Sequence, residues 1–234
     1  MSEDHNDHAL GPRIEARAAP RPERVTLKGR AVTLVPLSPE HAAPLYAASH
    51  GPGRDQLWTY LFNGPFDSLE AFTADVEAKA KAADPLYFAV LDNRDGRPVG
   101  YQSLMRIDPA NRVIEVGGIM YTPLLQAIAA STEAQFLFAR YVFDELGYRR
   151  YEWKCNDRNA PSRRAALRLG FAFEGVFRQH MIVKSRSRDT AWFSMLDREW
   201  PARRAAFEGW LDAENFDAQG RQKRRLQDFA PAAP

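Results

Sequence analysis

"QAIAASTEAQFLF", residues 126–138, stands between a run that reads as a strand and a run that reads as a helix. A loop that feeds a helix N-terminus points backbone N–H groups outward, and the helix dipole favours an anion there. This is the place for a phosphate-binding loop, yet the loop holds no glycine. Glycine suits such loops because it permits left-handed geometry and close approach of a phosphate. Alanine and serine are also small, and the donors are backbone, so the cradle works without glycine if its turn avoids positive φ. The alternative is an ordinary helix start, with Ser131 or Thr132 as its cap and no ligand.

Working outward from this stretch, the helix is expected to open at Thr132 and to end at Gly147 in a left-handed cap. Glu133, Arg140 and Asp144 form one narrow polar stripe, and apolar residues cover the rest, as in a helix packed between layers. "YRRYEWKC" then reads as a strand and "NAPSRRAALRL" as a short helix with Pro161 in its first turn. Two strands follow around Ser185-Arg186-Ser187, and "PARRAAFEGWL" makes a last helix. Upstream, "RVIEVGGIMYTP" is a strand interrupted by Gly117 and Gly118. Before it come two strands joined by an Asn-Arg-Asp-Gly turn, helices at 68–83 and 39–50, and a first strand broken by Gly29. The order β-α-α-β-β-β-α-β-α-β-β-α gives an α+β fold with a mixed, mostly antiparallel sheet. The strands on either side of residues 126–138 are expected to be parallel because a helix joins them.

The chain has 234 residues, of which 45% are apolar and 26% charged, the balance of a globular domain with a sizeable core. A net charge of +2 argues for no particular partner, and nucleic acid and membrane are not expected. A lone cysteine, Cys155, excludes an internal disulfide and fits a reducing cytoplasm. The five histidines are scattered, so no metal is expected. Residues 1–23 mix acid, base and proline with no apolar segment, and read as a loose tail rather than a secretory signal. The main domain is expected over 24–200, with residues 201–234 a helix and polar tail packed on it or trailing from it. Oligomeric state is left open, a homodimer included.

Three pieces in order, "IEVGGIMYTP", "QAIAASTEAQFLF" and "NDRNAPSRRAALRLGFAFEG", make the chain resemble the GNAT superfamily of N-acetyltransferases. Within it, they resemble the ribosomal-protein alanine N-acetyltransferase branch. The resemblance runs roughly from Val25 to Trp200. In the loop, Gln126 matches the family pattern, Ala129 and Ser131 stand at its glycine positions, and Thr132-Glu133-Ala134 follow. Asn159-x-x-Ser162 leading to Leu169-Gly170-Phe171 is the more specific piece. The resemblance implies acetyl-CoA as co-substrate. It implies cofactor contacts from the backbone of Ile119, Met120 and Tyr121 on a bulged strand, from Gln126 and Ala129–Glu133 in the loop, and from Asn159 and Ser162. A glycine pair suits such a bulge, and tight packing of a helix over the strand is the other explanation.

Asn159 before a proline-marked helix start also reads as an N-cap, a role compatible with a cofactor contact. By resemblance Ser162 serves the departing thiolate as donor; otherwise it is a capping hydroxyl. A base is sought because an amine must lose a proton before it attacks. Glu115, two residues before the glycine pair, and His180 are the candidates, each with a plain strand role as its alternative. Trp58 and Tyr60 are expected to wall the acceptor pocket, with aromatic core filling as the alternative. Acetyl transfer to a primary amine, either a protein N-terminus or a small molecule, is the leading expectation. A non-catalytic acyl-CoA-binding or regulatory module is the alternative.

Overall fold

In the computed structural model, which describes residues 12–15 and 17–229, the apolar runs build one eight-stranded sheet. Its strands are β1 (Leu27–Lys28), β2 (Val32–Pro36), β3 (Leu86–Asp92), β4 (Pro98–Asp108) and β5 (Val113–Tyr121). They continue with β6 (Arg150–Asn156), β7 (Ala172–Val183) and β8 (Arg186–Leu196). The spatial order is β1-β2-β3-β4-β5-β6-β8-β7, and every neighbouring pair is antiparallel except β5–β6. The expected mixed sheet with one parallel pair is therefore the fold observed.

Helices α1 (Ala42–Ser49) and α2 (Leu69–Lys81) cover one face of the sheet. Ser68 caps α2 by accepting from the Ala71 N–H at 3.1 Å. With β3, β4 and β5 these helices enclose an apolar cluster that includes Leu45, Phe72, Tyr101 and Met120. The other face carries α3 (Ala129–Arg140), α4 (Ala160–Arg168) and α5 (Trp200–Leu211). α3 is buried from Thr132 to Ala139 because it lies between two layers. Phe138 meets Phe88 of β3 edge-on at 5.2 Å, while Phe136 faces Phe207 of α5 at 5.5 Å. The turn after α3, Tyr141–Glu145, is widened: the Leu146 N–H bonds to Tyr141 O, five residues back, before Gly147 ends it at φ +67°.

Two sequence expectations shift. The β7–β8 turn is Lys184-Ser185, both at positive φ (50° and 58°), so β8 begins at Arg186 rather than beyond Ser187. The expected loose segment 1–23 is attached in the part that is described. Ala19 is buried and donates to Pro109 O at 3.0 Å, Tyr148 Oη donates to Pro20 O at 3.1 Å, and the Glu23 N–H bonds to Tyr141 Oη at 3.0 Å. Residues 1–11 and 16 lie outside the described residues. At the other end the chain folds back on α5, where Trp210 donates to Gln222 at 2.9 Å and Leu226 is buried. Among the described residues no helix is long and apolar enough to cross a membrane.

Candidate active site

β5 and β6 pair only over Val113–Val116 and Arg150–Trp153. Beyond that point they separate, and a bulge explains why. Against β4 the register passes from Ser103↔Gly117 to Tyr101↔Met120, so three steps along β5 oppose two along β4. Gly118 sits at φ +57°, where a side chain is strained, and a Cβ there would lie 2.9 Å from Tyr87 Oη. At Gly117 a Cβ would collide with Met105 Sδ. The expected glycine bulge is present, and it turns β5 away from β6.

A cleft of about 990 Å³ opens between the separated strands. Its walls are Gly117–Ile119 and Tyr121 of β5, Trp153–Asn156 of β6, the start of α4 and the loop before α3. The segment from Gly53 to Phe62, which includes Tyr60, closes one side. This segment is pinned at two points: Lys184 of the β7–β8 turn donates to Trp58 O (2.8 Å) and Gly64 O (2.6 Å), and Tyr60 Oη donates to Arg158 O (2.9 Å).

The loop of residues 126–131 differs in detail from the reading of its sequence. α3 opens at Ala129, three residues before the expected Thr132, and its N-cap is Ile128 with no side-chain cap. The positions Ala129 and Ser131 are helical, as a glycine-free cradle requires, but Ala127 takes φ +59°. Ser131 does not cap: its N–H (3.1 Å) and Oγ (2.7 Å) both donate to Ile128 O. Gln126, Ser131 and Thr132 line the cleft, and Gln126 is held by donating to Tyr121 O at 2.7 Å. Thr132 Oγ1 accepts from Arg168 at 2.9 Å, which brings a guanidinium to the start of α3. Arg164 lines the same end.

At the α4 end, Asn159 caps the helix, its Oδ1 accepting from the Ser162 N–H at 3.1 Å. Ser162 Oγ is not a second cap. It accepts from Trp153 Nε1 at 3.0 Å, and its own proton is shared between the neighbouring Cys155 sulfur and the cleft that Ser162 lines. Cys155 lies beside Ser162, and burial pushes this thiol up.

Several expected site residues turn their side chains elsewhere. That of Met120 is fully buried in the second apolar cluster, and those of Ala129 and Ala130 pack on the main core, so what these three positions can offer the cleft is backbone. Glu133 faces away from the cleft. Its carboxylate accepts from the N–H groups of Arg30, Ala31 and Val32 at 2.7–2.9 Å and so holds the β1–β2 connection. Trp58 is core, its indole donating to Ser49 O at 3.1 Å, whereas Tyr60 lines the cleft.

Neither candidate base lines the cleft. Glu115 is 4% exposed, and its Oε2 lies 2.9 Å from Lys154 Nζ and 3.1 Å from Arg106 Nε. Burial pushes its carboxyl up and Lys154 opposes this. The carboxylate is one link in a chain of alternating charge, Arg106–Glu115–Lys154–Glu152–Arg150–Glu174, that runs across the sheet. His180 packs beside the stacked pair Phe177 (5.5 Å) and Trp192 (6.2 Å), and burial with the nearby cations holds its pKa down. The cleft residues that sequence reasoning passed over are Trp153, Arg168 and Arg188. Each is a single residue whose neighbour, Ser162, Thr132 or Phe62, lies on another element, so no local spacing marks them.

The chain has clear relatives. The model of the acetyltransferase (GNAT) domain matches residues 31–172. A crystal structure of a GCN5-related N-acetyltransferase from Brucella melitensis is 54% identical, covers 91% of this chain and 97% of its own, and has a TM-score of 0.89. A probable acetyltransferase of the GNAT family from Chromobacterium violaceum ATCC 12472 is 37% identical, with coverage of 82% and 98% and a TM-score of 0.76. The protein named "Putative ribosomal N-acetyltransferase YdaF" of Bacillus subtilis (strain 168) is 31% identical over 106 residues. That match covers 45% of this chain and 57% of that protein's length.

Proposed function

The chain belongs to the GNAT acetyltransferase family and is an acyltransferase, and on that premise we propose that it transfers the acetyl group of acetyl-CoA directly to a primary amine. The observation that carries this reading is the cleft between β5 and β6, opened by the Gly117-Gly118 bulge and bounded by the N-termini of α3 and α4. A thioester supplies the activated acetyl group; the protein's task is to hold it, stabilise charge and move protons. At the first turn of α3 the N–H groups of Ala129 and Ala130 have no intrahelical acceptor. With Arg168 and Arg164 beside them, they suit a pyrophosphate. Beyond Val116, the cleft-side edge of β5 faces no strand, so its backbone groups from Gly117 to Tyr121 suit an amide-bearing arm and the thioester oxygen. Asn159 and Ser162 close the opposite side. The Oγ–H of Ser162 is a donor for a departing thiolate, and the indole N–H of Trp153 on the same oxygen polarises it.

No side chain on the cleft wall is placed as a base by its own geometry, so deprotonation of the amine is assigned to water in the cleft or to the acceptor's own equilibrium. The acceptor class follows the likeness to the ribosomal N-acetyltransferase, which favours a protein N-terminus, with a small-molecule amine as the other option. The test is to incubate the protein with acetyl-CoA and a panel of amines and peptides while free thiol is followed. Acceptor-dependent thiol release supports the proposal. Acetyl-CoA binding with only slow background hydrolysis would favour a non-catalytic acyl-CoA-binding module instead.

A further inference from the structure

Among the described residues Arg188 on β8 is the one buried arginine, and it has neither a carboxylate nor a hydrogen-bond acceptor. Lys154 has two carboxylates, Glu115 at 2.9 Å and Glu152 at 2.6 Å. Arg163 has Asp157, and Arg168 has Thr132 with the Trp210 ring. Arg188 is 7% exposed, its Nε is buried with no acceptor, and no acidic group is paired with it among the described residues. Glu115 lies near enough to be felt, but its carboxylate is held by Lys154 and Arg106. Taking a guanidinium out of water without a partner is costly, and proteins keep such a group where a ligand completes it.

The position says what kind of ligand. Arg188 lines the cleft, and its guanidinium carbon lies over the Phe62 ring, 5.1 Å from the ring centre, in the segment that closes the cleft's side. Its terminal nitrogens, unlike Nε, are not among the buried unsatisfied atoms. A planar fork of N–H donors held at a cleft wall matches a carboxylate bidentately. It stands near Cys155, hence near the Ser162 end where the acyl group would react, rather than at the start of α3.

We propose that Arg188 binds a carboxylate of the acceptor, so that the amine acetylated here carries an anionic group a few bonds from its nitrogen. This rests on the acetyl-transfer reading above and narrows its substrate class. A free amino acid or an acidic side chain next to a peptide N-terminus supplies such a carboxylate, and the arms of the experiment separate the two.

Acetyl transfer is measured on free amino acids against their carboxamides, and on hexapeptides with aspartate at position two against the same peptides with asparagine. The wild-type protein is expected to prefer the carboxylate form of one pair by tenfold or more in kcat/KM, mainly through KM. In Arg188→Gln that ratio falls toward one, and Arg188→Lys, which keeps the charge without the fork, is intermediate. Melting curves verify that the variants fold. A wild type that takes carboxylate and carboxamide alike would overturn the proposal. So would an Arg188→Gln variant that slows every acceptor equally, because the guanidinium would then serve the thioester chemistry. A rise in wild-type Tm on adding acetyl-CoA reports separately on the underlying reading: its absence, with no amine acetylated, strikes that reading itself.

Discussion

At the scale of single residues, two positions carry sharp expectations. Ala127 holds φ +59°, a left-handed conformation that costs an L-residue about 1 kcal/mol. Ala127→Gly is therefore expected to raise Tm by a few degrees, with acetyl-CoA binding retained; a lower Tm would show that the methyl group packs usefully. Ser162 has two jobs that can be separated. Ser162→Ala leaves the Trp153 indole N–H without its acceptor, a loss of about 1 kcal/mol. If the hydroxyl also donates to the departing thiolate, turnover falls roughly a hundredfold with a smaller change in acetyl-CoA affinity. Loss of stability with normal turnover would reduce Ser162 to a support for Trp153.

At the scale of elements, the start of α3 gives the clearest contrast between a helix end and an anion site. Ser131→Glu adds a negative charge in the first turn, which helix electrostatics welcome by about 0.5 kcal/mol. The same charge would oppose a pyrophosphate in the cleft, so the fold is expected to survive while acetyl-CoA binding, read as a Tm shift, is lost. Intact binding would move the cradle elsewhere. The segment from Ser38 to Phe66 carries a pH dependence. His41 Nδ1 accepts from the Ser38 N–H and His50 Nε2 from the Phe66 N–H, both at 3.1 Å. Burial holds both imidazoles below the ordinary 6.5. A depressed folded-state pKa means stability that is present above pH 6.5 and is lost as pH falls and the rings must take protons. Tm should therefore decline below pH 6.5, and less steeply in His50→Gln; identical slopes would exclude His50. What the sequence made legible follows the reach of each signal. Ser68 and Asn159 act on neighbours within a few residues, and each does what its local pattern announces, while the glycine pair marks its own bulge in the strand. The start of α3 was misjudged because Ile128-Ala129-Ala130 contains no capping side chain. Glu133 was misplaced because its partners are the N–H groups of Arg30–Val32, about a hundred positions away in the chain.

At the scale of the whole molecule, residues 19–23 are part of the fold. Three hydrogen bonds tie Ala19, Pro20 and Glu23 to Pro109, Tyr148 and Tyr141. Deleting residues 1–23 is expected to lower Tm by on the order of 5–10 °C, at about 1 kcal/mol per bond; an unchanged Tm would show that these contacts add nothing. The run of alternating charge from Arg106 to Glu174 has a different bearing, on heat. Dehydrating a charge becomes less costly as temperature rises, whereas the drive to bury apolar area levels off. The five contacts in series join β4, β5, β6 and β7 across the sheet, and Lys154 among them reaches the cleft wall. Warming therefore weakens the apolar layers around the sheet sooner than it weakens this seam. The frame that holds the two separated strands at their spacing is the part of the protein best suited to outlast its surroundings.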